Sequence, residues 1–164
     1  LGRELGAQVT EEDAERLATS VPAWPAFGDS PGALAALARR YQLIILSNVD
    51  RISFAASKRR LGVTFTGILT AEDIGSYKPS PRNFEALLAE ADHLGIPAGR
   101  LLHVAQSLFH DHVPAKQFGL PTVWINRRHD HPGWGATPEP PAGVTPDWEF
   151  PSMQAFAQAA APGP

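Results

Sequence analysis

Short, wholly apolar runs alternate along the chain with segments whose apolar residues recur at helical spacing. Leu43–Ser47 (LIILS) is the first such run. It ends in a polar turn, as a strand buried on both faces would. Phe65–Asp73 (FTGILTAED), Arg100–Ala105 (RLLHVA) and Pro121–Asn126 (PTVWIN) are three further strand regions. Between the first two, RISFAASKRRLG reads as a helix capped by Asp50 and stopped by Gly62. Ser80-Pro81 opens another helix, in which Phe84, Leu87, Leu88, Ala91 and Leu94 share a face and Gly95 ends the run. DHVPAKQFG is a short helix closed by Gly119. Ser30-Pro31 leads into GALAALARR, and SMQAFAQAA closes the chain as a helix. Strands and helices in alternation predict an α/β fold, a parallel sheet with helices on both faces.

The flanks read differently. Residues 10–20 form a short helix with Thr10 and Asp13 in a capping box. Val21–Gly32 is rich in Pro and Gly and reads as a linker or domain boundary, and residues 129–147 read as surface loop. A length of 164 residues suits one compact domain, or one domain plus a fragment of another. With 43% hydrophobic and 19% charged residues, general disorder is excluded. The net charge of −3 gives no basic excess for nucleic acid, and no apolar run approaches the ~18 residues of a membrane span. The absence of cysteine excludes disulfides, thiolate metal sites and a Cys nucleophile, and makes a cytoplasmic location the expectation. The chain starts at Leu1 without a signal-peptide pattern, so it is expected to be the back part of something longer.

In open α/β sheets, ligands bind beyond the carboxyl ends of the strands. That rule selects Ser47 and Asn48 after the first strand and Tyr77 and Lys78 after the second. It selects Gln106, Ser107 and Asp111 after the third, and Asn126 and Arg127 after the fourth. Such a rim suits a small anion held beside a reacting group. Each residue has a plainer reading beside it. Ser47-Asn48 is common turn chemistry, Lys78 before Pro79 fits a solvated loop, Asp111 can cap a helix, and Arg127-Arg128 can be surface charge. His110-Asp111-His112 and His129-Asp130-His131 invite a metal reading. Positions i and i+2 do not share a helix face, and neither triplet has the spacing of common zinc sites, so no metal is assigned to them. No GxGxxG or GxxxxGK[ST] occurs, which leaves dinucleotide and P-loop readings without support.

These rim residues, in this order, resemble the haloacid dehalogenase (HAD) superfamily, and within it the type II 2-haloacid dehalogenases. The matching stretches are ILSNVD (Ile45–Asp50), GSYKPSPRNF (Gly75–Phe84), LLHVAQSLFHDHVPAKQFGLPTVWINRR (Leu101–Arg128) and PDWEFPSMQAFA (Pro146–Ala157). The resemblance covers roughly residues 22–160. It implies a HAD-like Rossmannoid core over residues 22–164 and makes residues 1–21 the remnant of a helical cap. It also implies a hydrolase working through an aspartyl ester. An Asp at the end of the family's first strand attacks the substrate, and water then cleaves the ester. Ser47 and the backbone of Asn48 would hold the anionic group, with Gln106 and Ser107 beside it. Lys78 would pair with the nucleophile, and Asp111 would help activate water or, in phosphatases, hold Mg²⁺.

Three departures shape the expectation. The nucleophile motif, an apolar strand followed by D-x-x-x-T, does not occur in this chain. Ala105-Gln106 stands where phosphatases carry Gly-Asp, which weakens a Mg²⁺ site. Gln106, Leu108 and Phe84 replace the Ser, Asn and Tyr usual in dehalogenases. The core is therefore expected to lack its central first strand, leaving the strands that end at Ser47 and Ala105 facing a gap of roughly 9–10 Å. Unpaired backbone groups there would cost ~1–3 kcal/mol each if buried, against a net stability of ~5–15 kcal/mol. Residues 1–164 alone are accordingly expected to be unstable, rearranged or insoluble. The favoured expectation is the C-terminal portion of a 2-haloacid dehalogenase acting on a small anionic 2-halocarboxylic acid without cofactor, with a homodimer as a further expectation. A Mg²⁺-dependent phosphatase of the same superfamily is one alternative, and a catalytically dead fragment or anion-binding module is another.

Overall fold

The computed structural model describes Gly6, residues 9–135 and residues 137–162. Residues 1–5 and 7–8 of the expected cap remnant, and 136 and 163–164 of the expected core, lie outside the described residues. Helix α1 (Glu11–Ser20) starts at the expected capping box, in which the Thr10 hydroxyl accepts from the Asp13 N–H and the Asp13 carboxylate accepts from Thr10 N–H. No residue of α1 is buried. A 3₁₀ turn (Val21–Ala23) follows, then an extended linker, then α2 (Ser30–Ala38). Asp29, not Ser30, stands at the cap position of α2. Its carboxylate is engaged by Arg127 at 3.0 Å rather than by the helix.

Two parallel sheets form the layer. In the first, β1 (Ile44–Ser47) pairs with β2 (Gly67–Thr70), Ile44 opposite Gly67 and Ser47 opposite Thr70. In the second, β3 (His103–Ala105), β4 (Thr122–Ile125) and β5 (Trp148–Phe150) lie in that order. Helix α3 (Arg51–Leu61) joins β1 to β2. It is capped by Asp50 and stopped by Gly62 in the left-handed region (φ 67°). Helix α5 (Pro81–His93) leads towards β3, α6 (Val113–Gln117) towards β4, and α7 (Met153–Ala160) follows β5.

The helices cover both faces. Phe84 and Leu87 of α5, Ala115 of α6 and Leu120 form one core with Ile44, Leu46 and Leu69 against them. Ala33 and Leu37 of α2, Phe156 and Ala157 of α7, and Val123 and Ile125 of β4 form the other. The elements differ from the sequence expectation where local polar chemistry outweighs apolar pattern. Ala71–Ile74 is a short helix, α4, not the end of a strand, because Thr70 and Asp73 build a second capping box. Ala98–Arg100 is a 3₁₀ turn after Pro97, so β3 begins only at His103. The short edge strand β5 is anchored by Asp147, whose carboxylate accepts from Thr122 N–H at 2.7 Å and pairs with Lys116.

Candidate active site

No ladder joins β1 to β3. Their facing edges line a cleft of about 760 Å³ that runs from Leu43–Leu46 to Leu102–Gln106 and has Lys78 and Asp111 in its wall. The Leu43 carbonyl accepts from Thr66 N–H, so alternation turns the peptide groups of Ile44 and Leu46 away from β2 and towards the cleft. His103 N–H donates to the Pro121 carbonyl, and Val104 is turned away from β4 in the same manner.

Lys78 sits in the loop between α4 and α5. Gly75 ends α4 in the left-handed region (φ 69°), and the Lys78–Pro79 peptide is cis. The Asn48 side chain grips the Lys78 backbone from the β1 side. Its Oδ1 accepts from Lys78 N–H at 2.7 Å, and its Nδ2 donates to the Lys78 carbonyl at 3.0 Å. Thus held, the Lys78 ammonium donates to the Leu46 carbonyl at 2.8 Å and to Asp111 Oδ1 at 2.6 Å. The two side chains are only 10% and 9% exposed, so the pair is shielded from water and salt.

Asp111 lies in a π-helical turn, Leu108–His112, that follows β3 directly. π-turns insert one residue into a helical path and are frequent at functional sites. Ser107 caps the turn, its hydroxyl accepting from His110 N–H at 3.0 Å and lying 3.0 Å from His110 Nδ1. His112, fully buried, donates from Nε2 to the Ala105 carbonyl at 3.2 Å, and burial pushes its pKa down. Asp111 Oδ1 also accepts from His103 Nε2 at 3.0 Å. Burial raises the Asp111 pKa, but the His103 hydrogen bond and the Lys78 charge outweigh it and hold the carboxyl at about 2. Asp111 is therefore kept as a carboxylate against the Lys78 side chain at ordinary pH.

The remaining rim residues are placed unevenly. Ser47 ends β1, half-buried, and Asn48 follows it. Gln106 is exposed in the cleft wall, and its carbonyl accepts from the Trp124 indole N–H at 2.8 Å. The Ser107 hydroxyl is committed to its turn. Tyr77 is exposed. Arg127 pairs with Asp29 and lies 4.1 Å over the Phe27 ring, so it fastens the linker to the end of β4 instead of standing free. The His129 and His131 rings lie on the surface about Asp130. Among the described residues no three His, Asp or Glu side chains converge on a metal position. Asp111 Oδ1 already takes two donors, and Gln106 beside it is neutral. These residues do not make the hard, anionic donor set that Mg²⁺ requires.

His103 escaped the strand-end rule because it sits within β3, two residues before the strand's end. The signal was present as the one polar side chain in an otherwise apolar LLHVA, on the same strand face as Ala105.

Known proteins agree with this architecture. No family model matches the chain. The (S)-2-haloacid dehalogenase of Pseudomonas sp. (strain YL) is 33% identical over 159 residues, which is 95% of this chain and 64% of that protein. The (S)-2-haloacid dehalogenase of Pseudomonas putida is 28% identical over 128 residues, 76% of this chain and 55% of that protein. This chain thus spans between about half and two thirds of these relatives. The structure of L-2-haloacid dehalogenase from Xanthobacter autotrophicus with chloropropionic acid covalently bound superposes with a TM-score of 0.74 at 19% identity, over 98% of this chain and 71% of that one. In sequence and in fold the chain resembles the type II 2-haloacid dehalogenases of the haloacid dehalogenase superfamily.

Proposed function

We propose that the whole protein is a hydrolase that releases halide from small 2-halocarboxylic acids without a metal. The observation that carries this reading is the buried Lys78–Asp111 pair at the end of an open cleft between two strand edges. In this reading an extended strand from outside residues 1–164 lies in the cleft and presents an Asp carboxylate towards the Lys78 ammonium. The carboxylate attacks C2 of the substrate, the carbon–halogen bond breaks, and halide leaves with the electron pair. Water then adds to the resulting ester, giving the 2-hydroxy acid and restoring the carboxylate. Lys78 offsets the negative charge gathered at this point, which lowers the cost of holding a carboxylate nucleophile and a carboxylate substrate together. Asp111, kept ionised, orients or deprotonates the water.

Substrate carboxylate binding falls to the Ser47 hydroxyl and the Asn48 N–H, both at the end of β1, with Gln106 on the opposite wall. Ser107 contributes through the turn that it caps. The Xanthobacter relative, with chloropropionic acid covalently bound, supports a covalent course and a substrate of this size. The (S)-specific names of the Pseudomonas relatives support the same stereochemistry here.

Residues 1–164 taken alone are proposed to be inactive, since none of their Asp residues stands at the end of a strand in the cleft. The test compares the whole protein with residues 1–164 on chloroacetate and on a phosphate monoester, each with and without EDTA. Halide release by the whole protein that EDTA leaves unchanged supports the reading. EDTA-sensitive phosphate release assigns the protein to the phosphatases instead, and turnover by residues 1–164 alone overturns the strand assignment.

A further inference from the structure

Asp111 has two oxygens, and the structure treats them differently. Oδ1 accepts from both Lys78 Nζ and His103 Nε2, at 2.6 and 3.0 Å. Among the described residues no hydrogen bond reaches Oδ2. Asp111 lines the cleft, and Oδ2 is not among the sealed side-chain atoms left without a partner among the described residues. A carboxylate anchored by one donor still turns about its Cβ–Cγ bond. Two donors on one oxygen, approaching from different elements, fix that rotation and leave the second oxygen aimed in one direction.

The second donor is itself held. The His103 ring packs on Phe84, with centroids 5.2 Å apart, and Phe84 is wholly buried and packs in turn on Phe118 at 5.9 Å. Nε2 carries a proton in the protonated ring and in one neutral tautomer, and the acceptor at 3.0 Å selects that tautomer. The ring therefore donates whether or not it is charged. Lys78 reaches Asp111 on a four-carbon stem from the loop after α4, so the two anchors come from different elements.

We infer that His103 is a positioning residue that, with Lys78, locks Asp111 by Oδ1 so that Oδ2 alone faces the reacting water. This deepens the proposed hydrolase reading and rests on it for the word water, whereas the locking itself does not depend on the reaction. His103 opens β3, three residues before Gln106 at the rim, and its ring meets Asp111, so its influence passes through Asp111.

The test uses His103→Phe, which keeps the packing on Phe84 and removes the donor, and His103→Gln, whose amide N–H reaches the place of Nε2. ¹³C NMR of the whole protein follows the Asp111 carboxyl through acid titration. The midpoint is expected to rise by at least one pH unit in His103→Phe and to return most of the way in His103→Gln. In the whole protein, His103→Phe is expected to lower kcat about tenfold with KM changed less than twofold, because a misaimed base costs rate and not binding. His103→Gln is expected to recover most of that loss. An Asp111 midpoint that is the same in all three folded proteins overturns the inference. Should His103→Phe fail to fold, ¹⁵N NMR of the unsubstituted chain decides: an Nε2–H tautomer supports the lock, and an Nδ1–H tautomer overturns it. A shifted midpoint without any halide release from the whole protein leaves the lock standing and sinks the dehalogenase reading, so the two failures are distinguishable.

Discussion

Replacing Lys78 by Met tests the site where its electrostatics are strongest. Met keeps the unbranched stem and removes the charge from a pair only 10% and 9% exposed. Asp111 is then left with His103 alone. Taking one member from a buried pair costs about 3 kcal/mol at the low end of such changes, and His103 places this case at that end. The pH dependence gives a sharper signature. Asp111 is held at about 2 against an ordinary 3.8. At ~1.36 kcal/mol per pH unit, that difference of roughly 1.8 is worth about 2 kcal/mol of folding stability. The folded pKa is the lower one, so this contribution is complete above pH 3.8 and is lost as pH falls through about 2. Lys78→Met should therefore unfold at lower urea than the parent at pH 5 to 7, and the gap should narrow between pH 4 and 2. Taking the difference between the two proteins cancels the other carboxylates that titrate in this range. Urea unfolding followed by Trp fluorescence measures it at each pH. A gap below about 0.5 kcal/mol at pH 7, typical of an exposed pair, would refute the reasoning. So would a gap that stays constant down to pH 3.

Other consequences are directly measurable. Phe84→Ala, at a wholly buried ring that supports both Phe118 and His103, should cost about 3–5 kcal/mol in chemical unfolding. Asn48→Ala removes both hydrogen bonds to the Lys78 backbone and should cost about 2 kcal/mol, with the ¹⁵N resonance of Lys78 among those most displaced. Gly62→Ala, forced into the left-handed region at φ 67°, should lower stability by about 1 kcal/mol without altering the site. In hydrogen exchange, the amides of Ile44, Leu46 and Val104, turned into the cleft, should exchange faster than those of Ile45 and Ala105, turned into ladders; equal protection would contradict the alternation derived from Leu43 and His103.

Much of this molecule is written locally. LIILS and TVWI need only their apolar runs to be read as strands, and Asp50 and Gly62 bracket α3 by cap chemistry that acts within one turn. The rim positions of Lys78 and Asp111 follow from strand ends alone. What sequence leaves out is what long-range partners decide. β5 is three residues long, and its pairing depends on Asp147 reaching Thr122 and Lys116 from elsewhere in the chain. Asn48 reads as a turn residue until Lys78, thirty positions on, supplies the backbone that it grips. Arg127 reads as surface charge until Asp29 and Phe27 fold against it. His103 looked like a strand residue because its partner is eight positions away, across a π-turn that no periodicity announces.

The Lys78–Asp111 contact also has a mechanical meaning. β1 and β2 belong to one sheet and β3, β4 and β5 to the other, with no ladder between them. One continuous polar chain crosses the division: the Leu46 carbonyl on β1, the Lys78 ammonium, Asp111 Oδ1, and His103 on β3. Helix packing ties the sheets across their faces, whereas this chain ties them at the cleft itself. An ordinary catalytic pair can be deleted from a stable scaffold, because the scaffold does not depend on it. Here the groups assigned to chemistry are also a bond between two halves of the layer, so loss of Lys78 is expected to loosen the cleft as well as to silence it. Stability and activity should then fall together in Lys78→Met, whereas His103→Gln, which preserves the crossing chain, should keep most of both.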